Sequence, residues 1–148
     1  MKRTAIAICL AFLCAVPTDA SVASLPDVAK AVDAFHGALQ KGDRAAALAS
    51  LDEKVQIYEQ GWVEHSRAEY EANHLASDLK FAQATSTTQT ARDIAVLREF
   101  GYVTTESRTT GTFEGKSVDS INLETMVLRL SEKGWRIVHI HWSSRKSS

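Results

Sequence analysis

The sequence predicts an α+β domain: a curved antiparallel sheet wrapped on about three N-terminal helices. Three observations predict it. Helical periodicity is confined to the first half, where Val28, Val32, Phe35 and Leu39 recur at the spacing of one helix face. From Ala82 onward that period is lost. Three runs rich in threonine, valine and isoleucine follow, at 84–98, 102–113 and 117–130, separated by the turn signals Glu99–Gly101, Glu114-Gly115 and Glu132–Gly134. The chain then closes on Trp135–Ser144, WRIVHIHWSS, which alternates with apolar residues on both faces, as a central strand does.

The chain opens on a targeting segment. Lys2 and Arg3 precede a short apolar run, 5–16, and small residues follow at Ala20, Ser21 and Ala23. This is the pattern of a secretory signal, too short to span a bilayer. Residues 1–23 are expected to be removed after Ala20 or Ala23, leaving one domain, 24–148, exported to a periplasm or to the exterior. Both cysteines, Cys9 and Cys14, fall in the signal, so the mature chain holds no disulfide and no thiolate nucleophile or ligand. Removing Lys2, Arg3 and Asp19 from 17 basic and 18 acidic residues leaves 15 and 17, a net of −2. The basic residues form no stripe and aromatics are few, so nucleic acid is not an expected partner. Neither is a membrane once the signal is gone.

The elements follow in order. Ser24 is placed to cap the first helix, with Pro26 in its first turn and Asp27 at the positive end of its dipole; Gly42 ends it. His36 borders the buried stripe and reads as a structural histidine. Asp43 caps a short alanine-rich helix, 44–50. The first strand is expected over 53–60, with Val55, Ile57 and Glu59 on one face. A carboxylate sharing a face with two aliphatics needs a partner, or its pKa rises.

Ser66-Arg-Ala-Glu69 is a capping box. The helix it opens is expected to run to about Lys80, with Ala68, Ala72, Leu75 and Leu79 on one face and Tyr70, His74 and Phe81 roughly opposite. The later runs are each about a dozen residues, well above the usual ~5–6, and long hairpin-linked strands coil strongly. On the closing strand, simple alternation puts Trp135, Ile137, His139, His141 and Ser143 on one face and Trp142 on the other. Trp135 is then core, and Trp142 a candidate for a homodimer interface.

The residues Tyr58-Glu59-Gln60-Gly61, Ser66–Tyr70 leading to His74-Leu75, Glu106–Gly111, Glu124–Leu128 and Trp135–Ser144 carry a family resemblance. The chain resembles the SnoaL-like branch of the nuclear transport factor 2-like superfamily, and its closing strand resembles the W-x-I-x-H-x-H-x-S ending of uncharacterised ketosteroid isomerase-like and kinase-association-domain-like members. The resemblance spans the mature chain. It implies a cone shape for the sheet and helices, a pocket between them and a homodimer formed through the sheet's outer face. The aspartate base and tyrosine–aspartic acid pair of the best-known isomerases have no matching set here.

Three chemistries remain open. The first is a small-molecule pocket, with Glu59, His139 and His141 as candidate catalytic residues and Tyr70, His74, Glu124, Ser143 and Trp62 as ligand-binding ones. Burial moves a glutamate and an imidazole towards neutrality, which suits cofactor-free proton abstraction beside a carbonyl, or dehydration. The second is a metal site. His139 and His141 stand ~7 Å apart on one face of a strand and, with His74 or Glu59, could hold zinc, copper or nickel. The third is a binding or scaffolding module without turnover, its histidines hydrogen-bonded to Glu59 or Glu124.

Overall fold

The computed structural model describes residues 25–147. The signal, its cleavage points, both cysteines and the Ser24 cap lie outside them. Helix α1, Leu25–Lys41, buries Val28, Val32, Phe35, Ala38 and Leu39, and Gly42 leaves it at a φ of 72°. Helix α2, Arg44–Ser50, is capped by Asp43, whose carboxylate accepts from the Ala46 amide. Strand β1, Leu51–Glu59, keeps Val55 and Ile57 buried and Gln56 and Tyr58 outside. A turn at Gln60-Gly61, both at positive φ, returns the chain into a three-residue strand, β2, Trp62–Glu64, which the sequence did not announce.

The Ser66 hydroxyl accepts from the Glu69 amide, and the Glu69 carboxylate accepts in turn from the His65 amide. The helix expected from this box breaks at His74, giving α3, Arg67–Asn73, and α4, Leu75–Ala84. The break overturns the expected division of faces. Tyr70 and Leu75 are both fully buried, whereas Ala68 and Ala72 are exposed.

Four long strands follow: β3 Thr85–Leu97, β4 Phe100–Phe113, β5 Lys116–Ser131 and β6 Gly134–Lys146. The sheet order is β2-β1-β6-β5-β4-β3. β3 to β6 form an antiparallel meander, while β1 lies parallel to β6, so the sheet is mixed. β6 is interior to the sheet, between β1 and β5.

One residue decides which side chains β6 sends inward. Val127 of β5 opposes His139 and Leu128 opposes Ile137, which leaves Val138 unpaired as a β-bulge. Alternation slips by one at that point. Ile137 and Ile140 are therefore both buried on the helix side, and Trp142 joins Trp135 on that concave side. His139 and His141 turn to the convex face beside Tyr58, whose ring meets His139 edge-on at 5.1 Å. The expectation that both histidines face the interior and Trp142 faces away is thus corrected. Trp142 instead stacks on Phe35 inside the cone.

Candidate functional site

The concave face and the helices enclose a cavity of about 900 Å³. Its sheet wall contains a single register row that crosses all six strands. Trp62 lies opposite Glu59, Glu59 beside Trp142, Trp142 opposite Glu124, Glu124 opposite Thr105, and Thr105 opposite Arg92. All six residues line the cavity. The helix wall adds His36, His74, Asp78 and Phe81.

One end of the row is acidic. His74 sits at the α3–α4 break, where its Nδ1 bonds the carboxylate of buried Glu64. The Tyr70 hydroxyl donates to Asp78 at 2.7 Å. Burial lifts the Glu59 carboxyl above the ordinary glutamate value; the charge of Asp78 adds to this, His74 opposes it, and Glu64 adds again. Burial also lifts Asp78, although the Tyr70 donor and His74 pull it back. Tyr70 is raised by burial and by the same carboxylates, so it stays protonated. Burial works against a charged His74, but the Glu64 hydrogen bond and charge, with Asp78 and Glu59, carry its pKa above the usual imidazole value. Three carboxyls thus share one imidazole. Glu64 holds Nδ1, which leaves Nε2 as the ring nitrogen able to reach a ligand.

The middle of the row is a closed network. Glu124 Oε2 accepts from the Trp142 indole at 2.8 Å, and its Oε1 lies 3.1 Å from His36 Nε2. Burial pushes Glu124 up, yet His36, Trp142 and Arg92 together hold it below the ordinary value. Glu124 is therefore an anion matched by its neighbours, not an acid poised to move protons.

The sequence placed Glu59, His74, Glu124, Ser143 and Trp62 at a pocket, and all five line this cavity. Tyr70 lies behind the wall and reaches the cavity through Asp78. His139 and His141 are on the other side of the sheet, so His74 and Glu59 cannot join them around one ion. Among the described residues, no group of three or more histidine, cysteine, aspartate or glutamate side chains is arranged to hold a metal ion. His36, Asp78 and Arg92 were missed. His36 carried a signal, because it directly follows the buried Phe35 and so borders the face that packs on the sheet.

The family model of the SnoaL-like domain matches residues 28–145. The chain belongs to the SnoaL-like family. A solved structure described as a candidate ketosteroid isomerase from Shewanella frigidimarina NCIMB 400 is 38% identical; the alignment covers 77% of this chain and 92% of that one, with a TM-score of 0.74. A candidate dehydratase of the NTF2-like family from Streptomyces avermitilis is 20% identical over 83% of this chain and 96% of its own, at 0.72. The CaMKII hub of S. rosetta is also 20% identical, over 88% of this chain and the whole of its own, at 0.68. The last two show the fold alone. No curated protein matches the chain.

Proposed function

We propose that this SnoaL-like domain binds a small organic molecule in the cone and moves a proton on it without a cofactor, in isomerase- or dehydratase-like chemistry. The observation that carries the reading is Glu59: a carboxyl in the cavity wall, held above its ordinary pKa by burial and by Asp78. A carboxyl raised in this direction, in a cavity wall, is a stronger base than a free glutamate. His74, oriented by Glu64 and biased towards imidazolium, supplies the acid. Asp78 and Tyr70 form a hydrogen-bonded pair beneath them. The likeness to the Shewanella protein supports an isomerase-like reaction class.

The experiment is solvent deuterium exchange at the α-carbon of cyclohexanone, followed by NMR. Wild type should exchange faster than buffer, and Glu59→Gln should lose roughly 10²–10⁴-fold, the ordinary worth of a positioned general base. Equal rates for the two proteins would sink the reading and leave a binding module. We further propose an exported homodimer. Residues 1–23 support the export, and the convex face supports the dimer, with Tyr58 at 39%, Val63 at 41% and Tyr102 at 47% exposure.

A further inference from the structure

The end of the cavity opposite Glu59 has no role in that proton transfer, yet it holds polar groups without partners. Arg92 and Thr105 are cross-strand neighbours on the concave face. The Arg92 side chain is only 15% exposed. Its Nη1 donates to Asp33 at 2.7 Å, but its Nε is buried with no hydrogen-bond partner among the described residues. Thr105 is 9% exposed, and its hydroxyl is buried and unpartnered too. A buried donor left unmade is costly, and natural folds seldom leave two side by side.

Most of the nearby acceptor oxygens are already engaged. Asp33 takes Nη1, and the two oxygens of Glu124 take His36 and Trp142. The protein therefore offers Arg92 Nε–H and the Thr105 hydroxyl to something from outside. The same acceptors decide its charge. Two carboxylates already flank the guanidinium, so a third anion would enter a desolvated site whose cation is matched. A neutral oxygen takes both donors without that penalty.

We propose that Arg92 Nε and Thr105 Oγ1 form a second polar subsite that grips a neutral carbonyl oxygen of the ligand, at the far end of the cavity from Glu59. The subsite rests on the reading of the cone as a ligand cavity and names the ligand class: a neutral oxygenated compound. Arg92 is four strands from Glu59, at most about 19 Å along the sheet at ~4.8 Å per strand. A ligand gripped here and reacting at Glu59 is extended, with its reacting carbon and its anchoring oxygen at opposite ends.

The test is the ¹⁵N–¹H signal of Arg92 Nε in the full mature chain, assigned by its loss in Arg92→Met or, should that variant not fold, in Arg92→Lys. Cyclohexanone should shift the signal saturably, and cyclohexanecarboxylate should shift it only at higher concentration. Thr105→Val, nearly isosteric, should weaken the cyclohexanone midpoint about fivefold, as the loss of one hydrogen bond does. No shift with the ketone, or saturation by the carboxylate first, overturns the proposal. The two readings fail separately. A shifted Arg92 signal without deuterium exchange defeats proton transfer and keeps the subsite, and exchange without a shift does the reverse.

Discussion

Individual carboxyls in this protein have been set to different tasks by what surrounds them. Glu59 is raised by burial and by the charge of Asp78, and Asp78 by burial and by Glu64, so their ionisation costs stability, and that cost is present above their folded values. Asp78→Asn keeps an oxygen for the Tyr70 hydroxyl and removes the charge. It should lower the Glu59 pKa in a carboxyl ¹³C titration and leave the melting temperature at neutral pH equal or higher. A Glu59 titration that does not move would mean that burial alone raises it. Glu124 has the opposite sign. Its folded pKa lies below its unfolded value of 4.5, so its contribution is present above that pH and fades as the pH falls through the folded value. His74 is raised above 6.5; its contribution is complete below that pH and is lost as the pH rises through the folded value. Glu124→Gln should cost about 1–3 kcal/mol at neutral pH and flatten the acid limb of the stability profile. His74→Asn should flatten the alkaline limb and leave the acid limb alone.

At the scale of elements, local chemistry wrote most of the fold. The caps at Asp43 and Ser66 and the turn glycines at 115 and 134 lie where the sequence indicated, while helix α4 runs on to Ala84, past the end expected near Lys80. The inward direction of Glu59 was legible too, because β1 alternates without interruption from Val55. The β6 bulge was not legible. Nothing in WRIVHIHWSS marks Val138 as the unpaired residue, since a bulge is defined only by the pairing with β5, which the strand's own alternation does not specify. That single slip moved two histidines out of the site and a tryptophan into it. Arg92 and Asp78 stayed hidden for a similar reason: only the assembled cone shows which charged side chains face inward. Deleting Val138 should give a regular ladder that keeps Ile137, Ile140 and Trp142 inward, so it should cost less than the ~3 kcal/mol of losing a buried aromatic. Urea unfolding followed by circular dichroism would measure it. Gly111 is the other constrained position. At a φ of 151°, a Cβ there would sit 2.8 Å from the Ala84 carbonyl oxygen and 2.9 Å from Thr85 Cα. Gly111→Ala should cost about 1–3 kcal/mol in the same assay.

For the molecule as a whole, the sheet separates two surfaces with different work. The concave side holds the cavity; the convex side carries the aromatic residues Tyr58 and Tyr102 with the histidine pair between them on the neighbouring strand. If the convex side is the dimer face, Tyr102→Lys should give monomers in sedimentation velocity and leave deuterium exchange on cyclohexanone intact. Dimers that persist would place the interface elsewhere. The parallel pairing of β1 with β6 has a consequence in time. Gln56 lies opposite His139, 83 positions later, so β1 has no neighbour on that side until the final strand exists. The hairpins from β3 to β6 close locally and fast, whereas this one contact must close a long loop and is slow. Synthesis runs from the N-terminus, so the helices and β1 emerge first and wait longest for a surface to pack on. Under the proposed export, that delay would favour a chain kept unfolded until β6, the strand that completes the core, has been made.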